Sequence, residues 1–238
     1  MRRIVMMVLR NLLTVPWMAI QLLLYARDDD QHTEWERYAL LRKICRRAIR
    51  GGNIELLTSG QENIPKEDGF ILYPNHQGMF DVLAVIDTCD HPLSVVMKKE
   101  VADVPFVKQV RKIMGAQAMD REDVRQSLGV IMQVTKEVAA GRNYLIFPEG
   151  TRSKLGNQLL DFKGGSFKAA TKAKCPIVPV ALIDSYYPFD SHSLKQVTVQ
   201  VHYLEPITYE EYKDKKTTEI AEIVKKRIEE KIKKVVDK

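Results

Sequence analysis

The chain has 238 residues, 45% of them hydrophobic, and a formal net charge of +6. That length supplies one globular domain with a sizeable core, and that composition excludes wholesale disorder. The positive balance suits an acidic partner: nucleic acid, a phosphorylated small molecule or an anionic membrane surface.

The first segment reads RRIVMMVLRNLLTVPWMAIQLLLYAR, two arginines ahead of an apolar run. It lacks a small-residue cleavage site, and Arg10 and Asn11 interrupt it, so it is not read as a signal peptide. The cleaner stretch, Leu12–Ala26, is shorter than the ~20 residues a spanning helix needs. Pro16 would kink it, and Gln21 is poorly placed in hydrocarbon. The expectation is a membrane-embedded or interfacial helix, with a true span as the alternative. In the next segment, WERYALLRKICRRAIR, Tyr38, Leu41, Ile44, Cys45 and Ala48 share one helical face. Arg42, Lys43, Arg46, Arg47 and Arg50 share the other. An apolar face beside a cationic one, with Trp35 near its start, suits an anionic leaflet. A surface helix packed on the core has the same pattern. No aromatic platform or helix-turn-helix accompanies it, so nucleic acid is set aside.

From Gly51 onward short apolar strands alternate with helices, which predicts an α/β domain with a mixed, mostly buried sheet. The strands are placed at Ile54–Thr58, Phe70–Tyr73, Leu93–Met97, Asn143–Phe147, Ile177–Ile183 and Val197–Tyr203. Helices are placed at Asp81–Asp87, Phe106–Met114, Asp123–Ala140 and Lys163–Lys174. A terminal amphipathic helix over Thr217–Lys238 carries Ile220, Ile223, Val224, Ile228 and Ile232 on one face. The division is a two-helix membrane-associated segment at 1–50 and the α/β domain at 51–238.

Two stretches bear on chemistry. In FILYPNHQGMFD the apolar run should be a strand ended by Pro74, leaving His76 in the exit turn, where α/β sheets line their ligand sites. Gly78 allows close backbone approach. Asp81, one turn on, could hold the His76 ring and leave the other nitrogen to take a proton. By itself a satisfied surface histidine explains the pair equally well. In YLIFPEGTRS the Arg152 fork suits a phosphate or carboxylate. Glu149 could be an acid, a base or a structural partner, and a tight turn with an exposed salt bridge would look the same. Lys98, Lys99 and Arg121 read, alone, as solvated charges. No Rossmann fingerprint, Walker loop or nucleophile elbow is present; GGSFK at 164–168 ends in Lys168. The three cysteines, Cys45, Cys89 and Cys175, are widely spaced with no CxxC pair. That argues against a zinc knuckle or disulfide framework, and for a reducing compartment.

Taken in order, NHQGMFD, MKKE, GAQAMDR, FPEGTRS and VPVAL resemble the blocks of the glycerolipid acyltransferase superfamily. The likeness is to its 1-acylglycerol-3-phosphate acyltransferases, over about residues 50 to 205. The AQAM before Arg121 departs from the bulky residues usual there. The resemblance implies His76 as general base, Asp81 as its orienting partner, and direct attack of a lysophospholipid hydroxyl on an acyl thioester. It implies Arg152, Lys98 and Arg121 on the acceptor phosphate, with Glu149, Gly150 and Thr151 shaping that site. Oxyanion donors are expected among backbone amides near Gly78 or the next helix start. No cofactor is implied beyond the donor, acyl-coenzyme A or acyl-carrier protein, and no metal. The product would be phosphatidate, made at the cytoplasmic face of the cell membrane. Alternatives are the same chemistry on another lysophospholipid or on glycerol 3-phosphate, or a non-catalytic membrane-binding scaffold.

Overall fold

The computed structural model describes residues 2–27 and 31–237. Met1, Asp28–Asp30 and Lys238, which fall in the expected terminal segments, lie outside the described residues.

Three helices, not two, precede the first strand: α1 (Arg2–Arg10), α2 (Val15–Arg27) and α3 (Glu34–Gly51). The break falls where Asn11 interrupts the apolar run. Its side-chain amide donates to the Met7 and Arg47 carbonyls, and α1 and α2 are bent by 96°. A reciprocal cap between Thr33 and Glu36 opens α3, a device worth about 1 kcal/mol. The expected stripe is in place: Tyr38, Leu41 and Cys45 are buried, while Lys43, Arg46, Arg47 and Arg50 face outward. These helices share a core with the sheet rather than forming a body of their own, through Met7, Leu22, Tyr38 and Ile49. Arg3 is fully buried and donates to the carbonyls of Gly52 (2.6 Å), Ser193 (2.7 Å) and Lys195 (3.0 Å). A buried guanidinium needs such acceptors, so the start of the chain is tied to the strand-bearing part.

The strands β1 (Ile54–Ser59), β2 (Ile71–Pro74), β3 (Leu93–Lys98), β4 (Gln117–Met119), β5 (Asn143–Leu145), β6 (Ile177–Ile183) and β7 (Val197–Tyr203) form one sheet. Its order is β1-β7-β6-β2-β5-β3-β4. All neighbours are parallel except β6 and β7. Between the strands lie α4 (Asp81–Thr88), α5 (Lys99–Ala102), α6 (Val107–Met114), α7 (Val124–Ala139), α8 (Lys168–Ala173) and α9 (Tyr187–Asp190); α10 (Tyr209–Tyr212) and α11 (Thr217–Val236) follow. The helix expected over Lys163–Lys174 divides into a 3-10 turn, Gly164–Phe167, and α8. Gly164 and Gly165 are poor helix formers, which accounts for the division.

Both faces of the sheet are covered. Ala84 and Val85 of α4 join the first three helices and α6 against Leu72 and Val178. Val134 of α7, Ala170 of α8 and Ile228 of α11 pack on the other face against Ile71 and Tyr144. The central strands β2 and β6 are buried along their whole length, which is why they read as unbroken apolar runs.

The topology also makes the site. β2 and β5 are parallel neighbours. The chain leaves β2 through α4 on one face, and leaves β5 through α8 on the other. Two adjacent strand ends with exits in opposite directions open a cleft above them.

Candidate active site

β2 ends at Pro74, and the buried Asn75 continues the ladder with its side chain. The Leu182 N–H donates to Asn75 Oδ1 (2.8 Å), and Nδ2 donates to the Leu182 carbonyl (3.0 Å). His76 leaves from that anchor. Its own N–H donates to Glu149 Oε1 (2.7 Å), and its carbonyl accepts from the Ser153 N–H (2.8 Å). The ring stacks on Phe147 with centroids 4.1 Å apart, and Nδ1 lies 2.7 Å from Asp81 Oδ2. A carboxylate oxygen accepts, so Nδ1 carries the proton and Nε2 keeps its lone pair.

Asp81 is fully buried, and donors surround it. Besides His76, the Gln77 N–H (2.7 Å) and Gly78 N–H (3.0 Å) reach Oδ2, and the Ser185 hydroxyl reaches Oδ1 (2.5 Å). Without them the buried charge would be strongly unfavourable. Gln77 adds a further layer. Its Oε1 accepts from the Ser185 N–H (2.8 Å), and its Nε2 donates to Asn157 (2.8 Å), which in turn donates to Asp184 (2.9 Å). The close approach expected at Gly78 is to the chain after β6: a Cβ there would sit 3.1 Å from Tyr186 Cα. Of the amides expected near Gly78 or at the next helix start to serve the oxyanion, those of Gln77 and Gly78 are committed to Asp81.

After β5 the chain turns tightly. The Gly150 N–H donates to the Phe147 carbonyl (3.1 Å), and Gly150 has φ +72°. Glu149 is buried beneath the cleft and does not line it. Its Oε1 holds His76 and its Oε2 accepts from the Leu160 N–H (3.1 Å). Burial pushes its carboxyl above the ordinary range, against the pull of those two amides. Of acid, base or structural partner, this geometry favours the last: Glu149 clamps the two loops together.

Above these loops is a cleft of about 640 Å³. The expected residues His76, Lys98, Arg121, Gly150, Thr151 and Arg152 line it together, although they come from four separate parts of the chain. Lys154 and Lys163, neither among the residues expected from the sequence, also line it. Lys163 is foreshadowed only by the Gly-rich turn after it. Val95, Val130, Val134 and Ile146 supply an apolar wall. Lys98 pairs with the exposed Glu100 (2.8 Å). Burial lowers the pKa of the Arg121 guanidinium, with Glu100 opposing; arginine stays a cation regardless. Among the described residues Arg121, Arg152, Lys154 and Lys163 have no ion-pair partner. The cysteines are free and buried, none lines the cleft, and burial pushes each thiol up to about 12. They are therefore poor nucleophiles. The cleft thus joins an oriented base, a set of unpaired cations and an apolar wall. Together they can activate a hydroxyl on a molecule that is anionic at one end and apolar at the other.

Comparison with known proteins agrees with that chemistry. A family model described as Acyltransferase matches residues 55–183. A 1-acyl-sn-glycerol-3-phosphate acyltransferase from Borreliella burgdorferi is 31% identical over 196 residues, covering 79% of this chain and 78% of that protein. A protein of the same name from Escherichia coli is 32% identical over 163 residues, 68% of this chain and 66% of that one. The crystal structure of the 1-acyl-sn-glycerophosphate (LPA) acyltransferase from Thermotoga maritima superposes with a TM-score of 0.76. The match covers 98% of this chain and 97% of that one, and at 20% identity it speaks to the fold.

Proposed function

The chain belongs to the acyltransferase family, and we propose that it moves an acyl group from a thioester to the sn-2 hydroxyl of 1-acylglycerol 3-phosphate, giving phosphatidate. One observation carries the reading: the His76 ring, held through Nδ1 by Asp81, borders a cleft that offers both unpaired cations and an apolar wall.

The steps follow from that arrangement. His76 Nε2 takes the proton of the acceptor hydroxyl as its oxygen attacks the thioester carbonyl. The tetrahedral adduct collapses, the carbon–sulfur bond breaks, and the imidazolium returns its proton to the leaving thiolate. Asp81 stabilises the imidazolium and holds the ring in place; Glu149, Gln77 and Ser185 act through the loops and through Asp81. Arg152, Arg121, Lys98 and Lys163 hold the acceptor phosphate, and the apolar wall takes an acyl chain. Holding both reactants in this way is a large part of the rate gain. The donor carrier is coenzyme A or an acyl-carrier protein; both present the same thioester.

We also propose that α1 and α2 bed in the bilayer interface at the cytoplasmic face of the cell membrane. Leu13, Trp17 and Ile20 point outward, exposed at 96%, 59% and 48%. An apolar surface of this kind marks an interaction site. Among the described residues no single helix is long and apolar enough to cross a membrane, and the α1–α2 pair is sharply bent. The cationic outer face of α3 suits anionic lipid, and three free thiols suit a reducing compartment.

The test is an acceptor panel. Purified protein receives either thioester donor with 1-acylglycerol 3-phosphate, glycerol 3-phosphate or lysophosphatidylcholine. Thiol release with phosphatidate as product, on the first acceptor alone, is expected. Turnover of glycerol 3-phosphate alone would move the acceptor, and equal turnover of lysophosphatidylcholine would show that the cations do not select a free phosphate monoester.

A further inference from the structure

The connection between α5 and α6 has features that neither the core nor the reaction uses. Val104, Pro105 and Phe106 are consecutive and all exposed, Val104 at 45% and Phe106 at 56%. A run of exposed apolar residues on a surface loop is disfavoured in water unless something covers it. Phe106 also has φ +71° and ψ −49°, a conformation strained for any residue with a side chain. The backbone therefore holds an aromatic ring outward where a glycine would fit more easily.

The position of this tip suggests what covers it. Val101 and Lys98, just before it, line the cleft. The Val104 N–H donates to the Val101 carbonyl (3.3 Å), so the tip begins at the cleft mouth. On its other side α6 packs against α2, the helix with the outward apolar residues. Lys108 and Lys112 follow on α6 and are exposed. An apolar tip beside lysines, continuous with an apolar helix, matches the layering of an anionic phospholipid surface, where acyl chains lie beneath phosphates.

We propose that Val104–Pro105–Phe106 is a second membrane-contacting element, separate from the N-terminal helices. It enters the boundary between headgroups and acyl chains of an anionic bilayer, with Lys108 and Lys112 on lipid phosphates. The tip lies between the cleft mouth and the α2–α6 contact, so one apolar surface runs from α2 to the mouth. With that surface in the bilayer, the mouth faces it and a lysolipid reaches His76 without crossing water. This rests on the reading of the cleft as a lysophosphatidate site.

The test uses the full chain with Phe106→Gly and Val104→Ser/Phe106→Gly. Glycine removes the ring and relieves the φ, so these variants keep the fold; an unchanged melting temperature checks that. Binding to vesicles of phosphatidylcholine and phosphatidylglycerol is measured by co-sedimentation. Acyl transfer is measured on long-chain lysophosphatidate in those vesicles and on a short-chain, monomeric lysophosphatidate. Phe106→Gly is expected to lower vesicle binding and the vesicle rate roughly tenfold, the order set by withdrawing one aromatic side chain from an apolar medium. The monomeric rate stays at the parent value. Unchanged vesicle binding would overturn the proposal. So would an equal loss on the monomeric acceptor, which would assign the tip to the donor or its carrier protein. If the parent turns over neither acceptor, the lysophosphatidate reading fails, while the binding arm still decides the role of the tip.

Discussion

After β2, the polar atoms that matter are satisfied inside the protein: the Asp81 carboxylate accepts from His76, Gln77, Gly78 and Ser185. After β5, across the same cleft, Arg152 and Lys154 have no ion-pair partner among the described residues, and neither does Lys163. The two loops differ in what they wait for. The first holds its geometry before any substrate arrives, as a base must if it is to act without rearrangement. The second keeps its charges available, as a phosphate site must. Changes in the first loop should therefore cost both stability and turnover, and changes in the second should cost substrate affinity.

Asp81→Ala should show the contrast most strongly. It strands the Gln77 and Gly78 amides and frees the His76 ring, so unfolding free energy should fall by about 3–5 kcal/mol. Turnover should fall at least roughly a hundredfold. Denaturant melts beside thiol-release assays would check both, and a loss confined to KM would break the contrast.

The same logic can be tested away from the cleft. His202 is buried, its Nδ1 lies 2.7 Å from the Ser59 hydroxyl and its Nε2 3.2 Å from Gln200 Oε1. Burial, with Lys231 adding to it, lowers its pKa from 6.5 to about 4. The folded state resists protonation there, so this contribution to stability is complete above pH 6.5 and drains as pH falls toward 4. The loss should be roughly 2–3 kcal/mol. Melts across that range should flatten in His202→Gln; an unchanged slope would assign the acid sensitivity elsewhere.

On the other loop, Arg152→Ala should raise KM for lysophosphatidate about tenfold, with kcat within a factor of about two and an unchanged melting temperature. Added salt should raise the parent KM in the same direction. A kcat loss at constant KM would place Arg152 with the first loop instead. The smallest effect is expected of Ser185→Ala, which removes one of several donors to Asp81. About 1 kcal/mol of stability and a few-fold of kcat should go together.

Much of this was legible in the sequence, for physical reasons. Ile177–Ile183 and Val197–Tyr203 were placed to the residue, because a central strand is one unbroken apolar run and its neighbour alternates. β4 was missed: Gln117–Met119 has three residues, none β-branched. α5, α9 and α10 have four residues each, too few to show a helical period. The break between α1 and α2 was marked by Asn11, but Arg3 gave no sign that it would be buried. His76 and Asp81 were legible because they are local partners, five residues apart. Ser185 and Glu149 reach the same centre from 104 and 73 residues away, and only the pairing of β2 with β6 on one side and with β5 on the other brings them there. Lys163 joins the cleft through the β5 exit.

The central claim is that His76, oriented by Asp81, is the base in acceptor-dependent acyl transfer. The direct measurement is thiol release by His76→Ala and by the parent protein, with and without lysophosphatidate, beside a melt of each. The account predicts release in the parent that requires the acceptor, a loss of at least roughly a hundredfold in the variant, and a fold that survives because Asp81 retains its other donors. Near-parental release by a folded His76→Ala would contradict it.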